Sequence, residues 1–138
     1  MIDEGFKKLE VYKLSHQLAV EVHAMTLKLP KVEMFEDASQ IRRSSKSVSA
    51  QIVEGYCLRK YKNEYLHYLY RSYASAEETI EHLEYLFETK SYTNDAAYKS
   101  MRDRYEGLCR MLFRFIQSIE AWKEPPRFVK EEGEDYAP

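Results

Sequence analysis

The chain has 138 residues, which is enough for one domain with its own hydrophobic core. Its 21 lysine and arginine residues against 23 aspartate and glutamate residues leave a net charge of −2, a balance that argues against binding polyanions through overall charge. The two cysteines, Cys57 and Cys109, lack CxxC spacing, and the sequence shows no secretory-type leader. It also lacks an apolar run near the ~20 residues that a membrane helix needs. These features predict a cytoplasmic protein with reduced thiols.

The first half of the chain predicts two helices. Apolar residues recur at steps of three and four over residues 7–29, and Pro30 is expected to close this first helix. A second helix is predicted over residues 37–56. We expect Gly55 to lie at its C-terminus in a backbone conformation that is costly for residues with a side chain, because glycine often ends helices.

The second half predicts two longer helices. One spans about residues 63–89, and the other begins at Asn94 or Asp95 as N-cap and runs to about Trp122. The first of these carries an apolar seam at alternating steps of three and four, formed by Leu66, Leu69, Tyr73, Ala76, Ile80, Leu83 and Phe87. Four amphipathic helices with short connections predict an all-α fold, an antiparallel up-down four-helix bundle over residues 1–123. Residues 124–138 are predicted to form a flexible acidic tail.

The second helix is unusually rich in small residues. One of its strips combines Gln40, Ser44, Gln51 and Gly55, which predicts the close approach of a second surface, with another subunit as one candidate. Tyrosines lie on several sides of the third helix and favour an oligomer, because tyrosine suits surfaces that are partly apolar and partly wet. They are Tyr61, Tyr65, Tyr68, Tyr70 and Tyr73.

Charges of opposite sign are segregated along the chain. Residues 42–62 contain six basic residues and one glutamate, whereas residues 77–88 contain five acids and no base. Such segregation suits either a nucleic-acid surface or a head-to-tail contact between subunits. The predicted nucleic-acid-binding residues are Arg42, Lys46, Arg59, Lys60, Lys62 and Arg71, with Tyr61 and Tyr65 as candidates for stacking on bases.

A structural role is the alternative for part of this region. We assign Arg43 and Glu54, which share one helix face, to structural or intersubunit contacts, because Glu54 would repel phosphate. The full set of predicted interface or structural residues is Gln40, Arg43, Ser47, Glu54, Gly55 and Tyr65. A second basic set lies on the fourth helix and is interpreted as a solvated face. It would enlarge the nucleic-acid patch only if the second and fourth helices presented it together. Its members are Lys99, Arg102, Arg104, Arg110 and Arg114.

The same region carries a family resemblance that covers about residues 6–120. Its most specific part runs from Pro30 and Glu33 to the segment QIRRSSKSVSAQIVEG, residues 40–55, where the family usually reads P..E and then Q.RRA..S...NIAEG. The chain resembles the bacterial four-helix bundle proteins encoded in intervening sequences of 23S ribosomal RNA. It departs from their pattern at Ser44, Gln51, Val53 and Ala74.

The resemblance implies a homo-oligomer, typically a ring of five bundles, without known catalytic activity. The fold is also that of the accessory protein of diversity-generating retroelements, which implies nucleic-acid and reverse-transcriptase binding for that relative. Our leading hypothesis is a non-enzymatic oligomer that binds structured RNA or a ribonucleoprotein near the junction of the second and third helices. The alternatives are a protein-interaction scaffold without nucleic acid and an accessory subunit to a reverse transcriptase.

Signals for catalysis and metal binding are weak. Glu64 and His67 have the Glu-x-x-His spacing of di-iron bundles, but Thr79 stands where a second such pair with His82 would need a glutamate. Glycine-rich phosphate loops and nucleophile elbows are absent from the sequence. We therefore predict no enzyme activity, no metal and no cofactor, and we expect both cysteines to be buried or partly buried thiols.

Overall fold

The computed structural model describes residues 3–122, which fold into four long helices: α1 (Glu10–Thr26), α2 (Asp37–Cys57), α3 (Lys62–Glu88) and α4 (Asp95–Glu120). Two short 3-10 turns, Gly5–Lys8 and Lys31–Phe35, precede α1 and α2. This described part contains no strand, so the predicted all-α class is confirmed. The predicted acidic tail, residues 124–138, lies outside the described residues.

The first helix is shorter than predicted at both ends. At its start, Leu9 has an extended backbone (ψ 131°), so the preceding residues form a separate turn. At its end, the amides of Lys28 and Leu29 donate to carbonyls three residues earlier, at 3.1 and 3.2 Å, and not to carbonyls four residues earlier as in an α-helix. The residue before a proline is disfavoured in helical conformation, so Pro30 acts on the helix earlier than the apolar spacing indicates.

Each helix packs on its neighbours in chain order, and α4 returns to α1. A hydrogen bond from Arg42 to Thr26 joins the start of α2 to the end of α1, and Arg104 near the middle of α4 meets Glu21 in α1. Neighbouring helices are therefore antiparallel, and α2 and α4 lie diagonally across the bundle, so that within residues 3–122 their backbones do not approach each other. The predicted up-down bundle has one end, here called the junction end, that holds the α2–α3 turn, the start of α1 and the end of α4.

The core is aliphatic with two buried tyrosines, Tyr65 and Tyr105. On α3, the predicted seam residues Leu69, Ala76, Ile80 and Leu83 are buried, and the others of that seam are half-buried at its border. The full burial of Tyr65 differs from the expectation that α3 tyrosines serve an interface. Tyr65 contacts Phe115 and Trp122 at ring distances of 6.1 and 6.2 Å, which closes the core at the junction end.

The small residues of α2 lie against α3 of the same chain. Ser44 Oγ is 2.8 Å from Thr79 Oγ1, and Ser47 Oγ is 3.0 Å from Ser75 Oγ. Ser72 Oγ donates to the Val48 carbonyl at 2.7 Å, in a fully buried position. The predicted second packing partner of α2 is therefore real, and it is a neighbouring helix within the subunit. Small side chains let the two backbones approach closely while every hydroxyl keeps a partner.

The remaining boundaries follow local chemistry. Asn94 is the N-cap of α4, and its side-chain oxygen accepts a hydrogen bond from the Ala97 amide at 3.0 Å, as predicted. The helix ends at Glu120, before Pro125. Among residues 3–122 no helix combines the length and the apolar character needed to cross a membrane.

Candidate nucleic-acid interface

The predicted site centres on the turn that joins α2 to α3. The amides of Leu58, Arg59 and Tyr61 donate to carbonyls three residues earlier, at 3.0, 3.2 and 2.8 Å, so the turn is tightly closed. Only four residues, 58–61, separate the two helices. The turn therefore holds its side chains on one compact surface.

Gly55 lies inside α2, which continues to Cys57, and not at the helix end. A Cβ atom placed on Gly55 would lie 3.0 Å from Tyr68 Cβ and 3.2 Å from Tyr65 Cδ1. The prediction of a special backbone conformation is thus wrong. Glycine is required here because α3 crosses α2 too closely for a side chain, which is a packing constraint that local sequence rules do not see.

Arg59 is committed to the subunit itself. Its side chain is 14% exposed and donates to Asp3 Oδ2 at 3.0 Å and to the Tyr56 carbonyl at 2.9 Å. The guanidinium also lies 3.9 Å from the centre of the Tyr56 ring. The pKa of Asp3 is lowered, first by the hydrogen bond from the Gly5 amide and then by Arg59. Arg59 therefore anchors the start of the chain against the α2–α3 turn.

Lys62 caps the end of α4. Its ammonium donates to the carbonyls of Trp122 and Glu120, at 2.6 and 3.1 Å. A cation at a helix C-terminus satisfies unpaired carbonyls and favours the helix dipole. Arg59 and Lys62, both predicted as nucleic-acid residues, thus have structural partners. Reading the sequence alone missed these partners because they lie 56 and 58 to 60 residues away in the chain.

Lys60 and Tyr61 are exposed in the turn, and Arg71 is exposed on α3, nine residues after its first residue, Lys62. Tyr61 is 56% exposed, and the Lys60 ammonium lies 5.6 Å from its ring centre. Tyr65, the other proposed stacking residue, is 1% exposed, so the structure excludes it from contact with a base. The surface that a ligand can reach at this end is therefore smaller than the predicted one.

Arg42 and Lys46 lie on a different side of the bundle. Arg42 donates to Thr26 Oγ1 at 3.0 Å, and exposed Lys46 lines the groove between α1 and α2. Lys46 and Lys60 are 14 positions apart in the chain, and the helical part from Lys46 to Cys57 spans about 17 Å. The structure does not bring these two cations together with the junction residues.

The other predicted structural residues divide between solvent and the α2–α3 contact. Exposed Arg43 donates to Gln40 Oε1 at 3.1 Å, and Ser47 bonds Ser75 across the helices. Glu54 is exposed, and no ion pair joins it to Arg43 within the described part of the chain. Arg43 and Glu54 therefore share a face of α2 without an ion pair between them in the described part of the subunit, and their predicted intersubunit role stays a prediction.

The basic residues of α4 are mostly paired. Arg102 bonds Glu84 and Glu106, and Arg104 bonds Glu21. Lys99 pairs with Asp95 at 3.3 Å on the surface. Arg110 and Arg114 are exposed and have no ion-pair partner in residues 3–122. Because α2 and α4 are diagonal, their cations do not form one patch.

The two ends of the bundle differ in charge. The junction half, residues 3–18, 50–73 and 113–122, holds eight lysine and arginine residues against six carboxylates. The other half, residues 19–49 and 74–112, holds ten against twelve. Charge is therefore distributed unevenly along the axis of the described bundle, and the more basic half lies at the α2–α3 turn.

The thiols lie in different environments. Cys109 is buried, and burial together with Glu77 raises the pKa of its thiol to about 12. Cys57 is exposed at the end of α2, contrary to expectation. Within residues 3–122 no group of three or more histidine, cysteine, aspartate or glutamate side chains is arranged so that it could hold a metal ion.

One polar cluster was not predicted from the sequence. His82 Nδ1 lies 3.2 Å from Asp37 Oδ1, and its Nε2 lies 3.1 Å from Glu78 Oε2. The Glu78–His82 spacing of four residues is visible in the sequence. Asp37 is brought in by the antiparallel packing of α2 on α3, so only the fold completes the cluster.

Comparisons with known proteins agree with this architecture. Residues 7–114 match the family model of the 23S rRNA-intervening sequence proteins, and the chain belongs to that family. It is also similar in fold to a crystal structure of a protein of unknown function from the S23 ribosomal protein family of Bacteroides thetaiotaomicron. The two share 24% identity at a TM-score of 0.68, over 78% of this chain and 95% of the other. No curated protein matches the chain.

Proposed function

We propose that this protein is a non-enzymatic helical bundle that associates with copies of itself and binds structured RNA, alone or in a ribonucleoprotein, at its junction end. The observation that carries the RNA part is the exposed pair Lys60 and Tyr61 on the basic half of the bundle, with Arg71 exposed on the adjacent helix. Lysine and arginine contact phosphates without reading sequence, and an exposed tyrosine stacks on an unpaired base.

The structure changes which residues should carry this function. Arg59 and Lys62 shape the surface by tying Asp3 and the end of α4 to the turn. Lys60 and Arg71 contact the phosphates, and Tyr61 stacks. Replacing Arg59 or Lys62 would disturb packing as well as charge, so these residues are poor probes of binding.

The test measures the affinity of the protein for a fluorescein-labelled stem-loop RNA by anisotropy at several salt concentrations. The double variant Lys60→Gln, Arg71→Gln should bind more weakly and reduce the magnitude of the salt slope by about 1.5 to 2, because two phosphate contacts are lost. Tyr61→Ala should weaken binding by roughly fivefold or more with an unchanged slope. The matched control is Lys99→Gln, which removes an exposed cation at the opposite end.

Two results would contradict the proposal. One is a wild-type protein that fails to bind the RNA at low salt. The other is a double variant that binds as tightly as the Lys99→Gln control. Either result would favour the second candidate function, a scaffold that binds only protein. The observation that favours this candidate is the pair of unlike grooves on opposite sides of the bundle.

A further inference from the structure

The Arg59 guanidinium is fixed by the end of α2 and covered by Asp3. It lies 3.9 Å from the centre of the Tyr56 ring, and its Nη1 donates to the Tyr56 carbonyl at 2.9 Å. Its Nη2 donates to Asp3 Oδ2 at 3.0 Å. The two contacts with Tyr56 orient the guanidinium without help from Asp3. The group therefore keeps its place when another acceptor replaces the carboxylate.

The segment that carries Asp3 packs on the same tyrosine through other residues. The Phe6 ring lies edge-on to Tyr56 and Tyr12, with ring centres 6.3 and 5.0 Å away. A Cβ atom added to Gly5 would overlap the Tyr56 hydroxyl. Asp3 itself lies in no helix, and its side chain is 58% exposed. Packing thus holds residues 5 and 6, whereas the Asp3 side chain is free to leave Arg59 without uncovering the core.

Asp3 offers Arg59 the same chemistry as a phosphate group. Both are anions with several oxygen acceptors, and the planar fork of donors on a guanidinium matches either of them. The pKa of the Asp3 carboxyl is lowered, first by the hydrogen bond from the Gly5 amide, so the carboxyl is ionised at neutral pH. An exposed ion pair adds little to stability, because water competes with it. A phosphate can therefore replace Asp3 at small cost, but the carboxylate repels any phosphate while it stays.

The Asp3–Arg59 pair borders the surface proposed for RNA. Arg59, Lys60 and Tyr61 are consecutive residues of the α2–α3 turn, and consecutive Cα atoms are about 3.8 Å apart. Lys60 and Tyr61 are exposed there. An RNA strand that contacts Lys60 therefore passes close to the carboxylate of Asp3.

We propose that Asp3 occupies a phosphate-binding position on Arg59, and that a phosphate of the bound RNA replaces it there. Asp3 is thus an intramolecular competitor of the ligand. RNA that places a phosphate at this position gains the Arg59 contact, and RNA that does not is repelled by the carboxylate. This inference rests on the RNA binding in the proposed function, and it adds a third cationic contact and its regulation to that site.

The test is the variant Asp3→Asn, which removes the charge but keeps a side-chain oxygen for the Gly5 amide. Its affinity for the fluorescein-labelled stem-loop RNA is measured by anisotropy at several salt concentrations. At low salt it should bind about fivefold more tightly than the wild type, since a unit charge about 4 Å from a phosphate has an effect of this size in water. The salt slope should increase in magnitude by about 1, because Arg59 gains a phosphate contact.

The matched control is Glu4→Gln, which changes the net charge equally at the neighbouring residue. Glu4 pairs with Lys7 at 3.3 Å, and both side chains are more than half exposed. Because salt screens exposed charges, this control should change the RNA affinity by less than about twofold and leave the slope unchanged. Melting curves followed by circular dichroism show whether both variants keep the wild-type stability.

A second comparison asks whether the gain depends on Arg59. The RNA affinity of Arg59→Gln is measured with and without Asp3→Asn, so any packing defect of Arg59→Gln is common to both proteins. In this background Asp3→Asn should change the affinity no more than Glu4→Gln does in the wild type, because the two residues act as a pair.

The role of Asp3 is contradicted if Asp3→Asn and Glu4→Gln bind the RNA with equal affinity and equal salt slope. It is equally contradicted if the gain from Asp3→Asn persists without Arg59. In either case, a wild type that binds the RNA and loses affinity on Lys60→Gln, Arg71→Gln leaves the proposed RNA site standing. If neither the wild type nor Asp3→Asn binds the RNA at low salt, the RNA site and the role of Asp3 are both wrong.

Discussion

Gly55 and Gly107 both lie within helices, but their surroundings differ. A Cβ atom on Gly55 would meet Tyr68 and Tyr65 at 3.0 and 3.2 Å, whereas one on Gly107 would meet only the tip of Arg110 at 3.8 Å. The first glycine belongs to the α2–α3 contact, where two helices approach closely over small residues. The second lies in α4, away from such a crossing. The same residue type is therefore a packing requirement in one region and a simple cost to helix stability in the other.

The largest effect is expected at Gly55. Gly55→Val should destabilise the protein by about 3 kcal/mol, because the added side chain overlaps Tyr65 and Tyr68 and forces α2 and α3 apart. Urea unfolding followed by circular dichroism measures this change. A variant as stable as the wild type would show that the α2–α3 crossing is looser than the structure describes.

A buried hydroxyl in the same contact should have a smaller effect. Ser72→Ala removes the hydrogen bond to the Val48 carbonyl and should lower the free energy of unfolding by about 1 kcal/mol. The matched control is Ser118→Ala, whose hydroxyl makes a similar bond to the Phe115 carbonyl on the exposed face of α4. Equal effects of the two substitutions would contradict the distinction between the buried contact and the exposed face.

Gly107 tests the other half of the comparison. Gly107→Ala should stabilise the protein by about 0.5–1 kcal/mol, because alanine favours the helix and its methyl group has room. The same unfolding experiment applied to Gly55→Ala should give the opposite sign. If both glycine-to-alanine substitutions changed the free energy of unfolding in the same direction, the contrast between the two regions would be contradicted.

The smallest expected effect concerns the α1–α4 contact, which Glu21 and Arg104 join through an ion pair. The hydrogen bond from Arg104 is the main cause that lowers the pKa of Glu21 below its ordinary value of 4.5. A carboxyl group whose pKa is lowered in the folded state stabilises the fold above about pH 4.5. This contribution is lost as the pH falls through the pKa of the group in the folded state. Since both side chains are about one-third exposed, solvent limits the contribution to about 0.5 kcal/mol.

Glu21→Gln should therefore melt at a slightly lower temperature than the wild type at pH 7, and the two melting temperatures should converge once the pH falls below the lowered pKa of Glu21. Glu10→Gln is the control, since Glu10 is more exposed and bonds only Lys13. A Glu21→Gln difference that persists unchanged at pH 3 would show that the ion pair is not its source.

Local patterns predicted the helices well and their ends less well. The seam of α3 and the Asn94 cap depend on residues three or four positions apart, and both were read correctly. The end of α1 differed because Pro30 tightened the preceding turn, and Gly55 differed because its constraint comes from Tyr65 and Tyr68 on the next helix. The predictions were thus wrong where contacts between residues distant in sequence determined the local structure.

The candidate site shows the same division. Lys60, Tyr61 and Arg71 were predicted as surface residues and are exposed. Arg59 and Lys62 were predicted for the same surface, but Asp3 and the end of α4 engage them. Adjacent residues in a basic segment therefore have different roles, and spacing alone does not separate them.

The sequence by itself determined the helical class, the number of helices and the segregation of charge, because these depend on periodicity and composition. Only the tertiary structure decided which small residues meet and which cations are already paired. Antiparallel packing joins residues 16 to 83 positions apart, and the energies of those contacts depend on distances that no local pattern encodes. That is why the fold was predictable from the sequence and the surfaces available to partners were not.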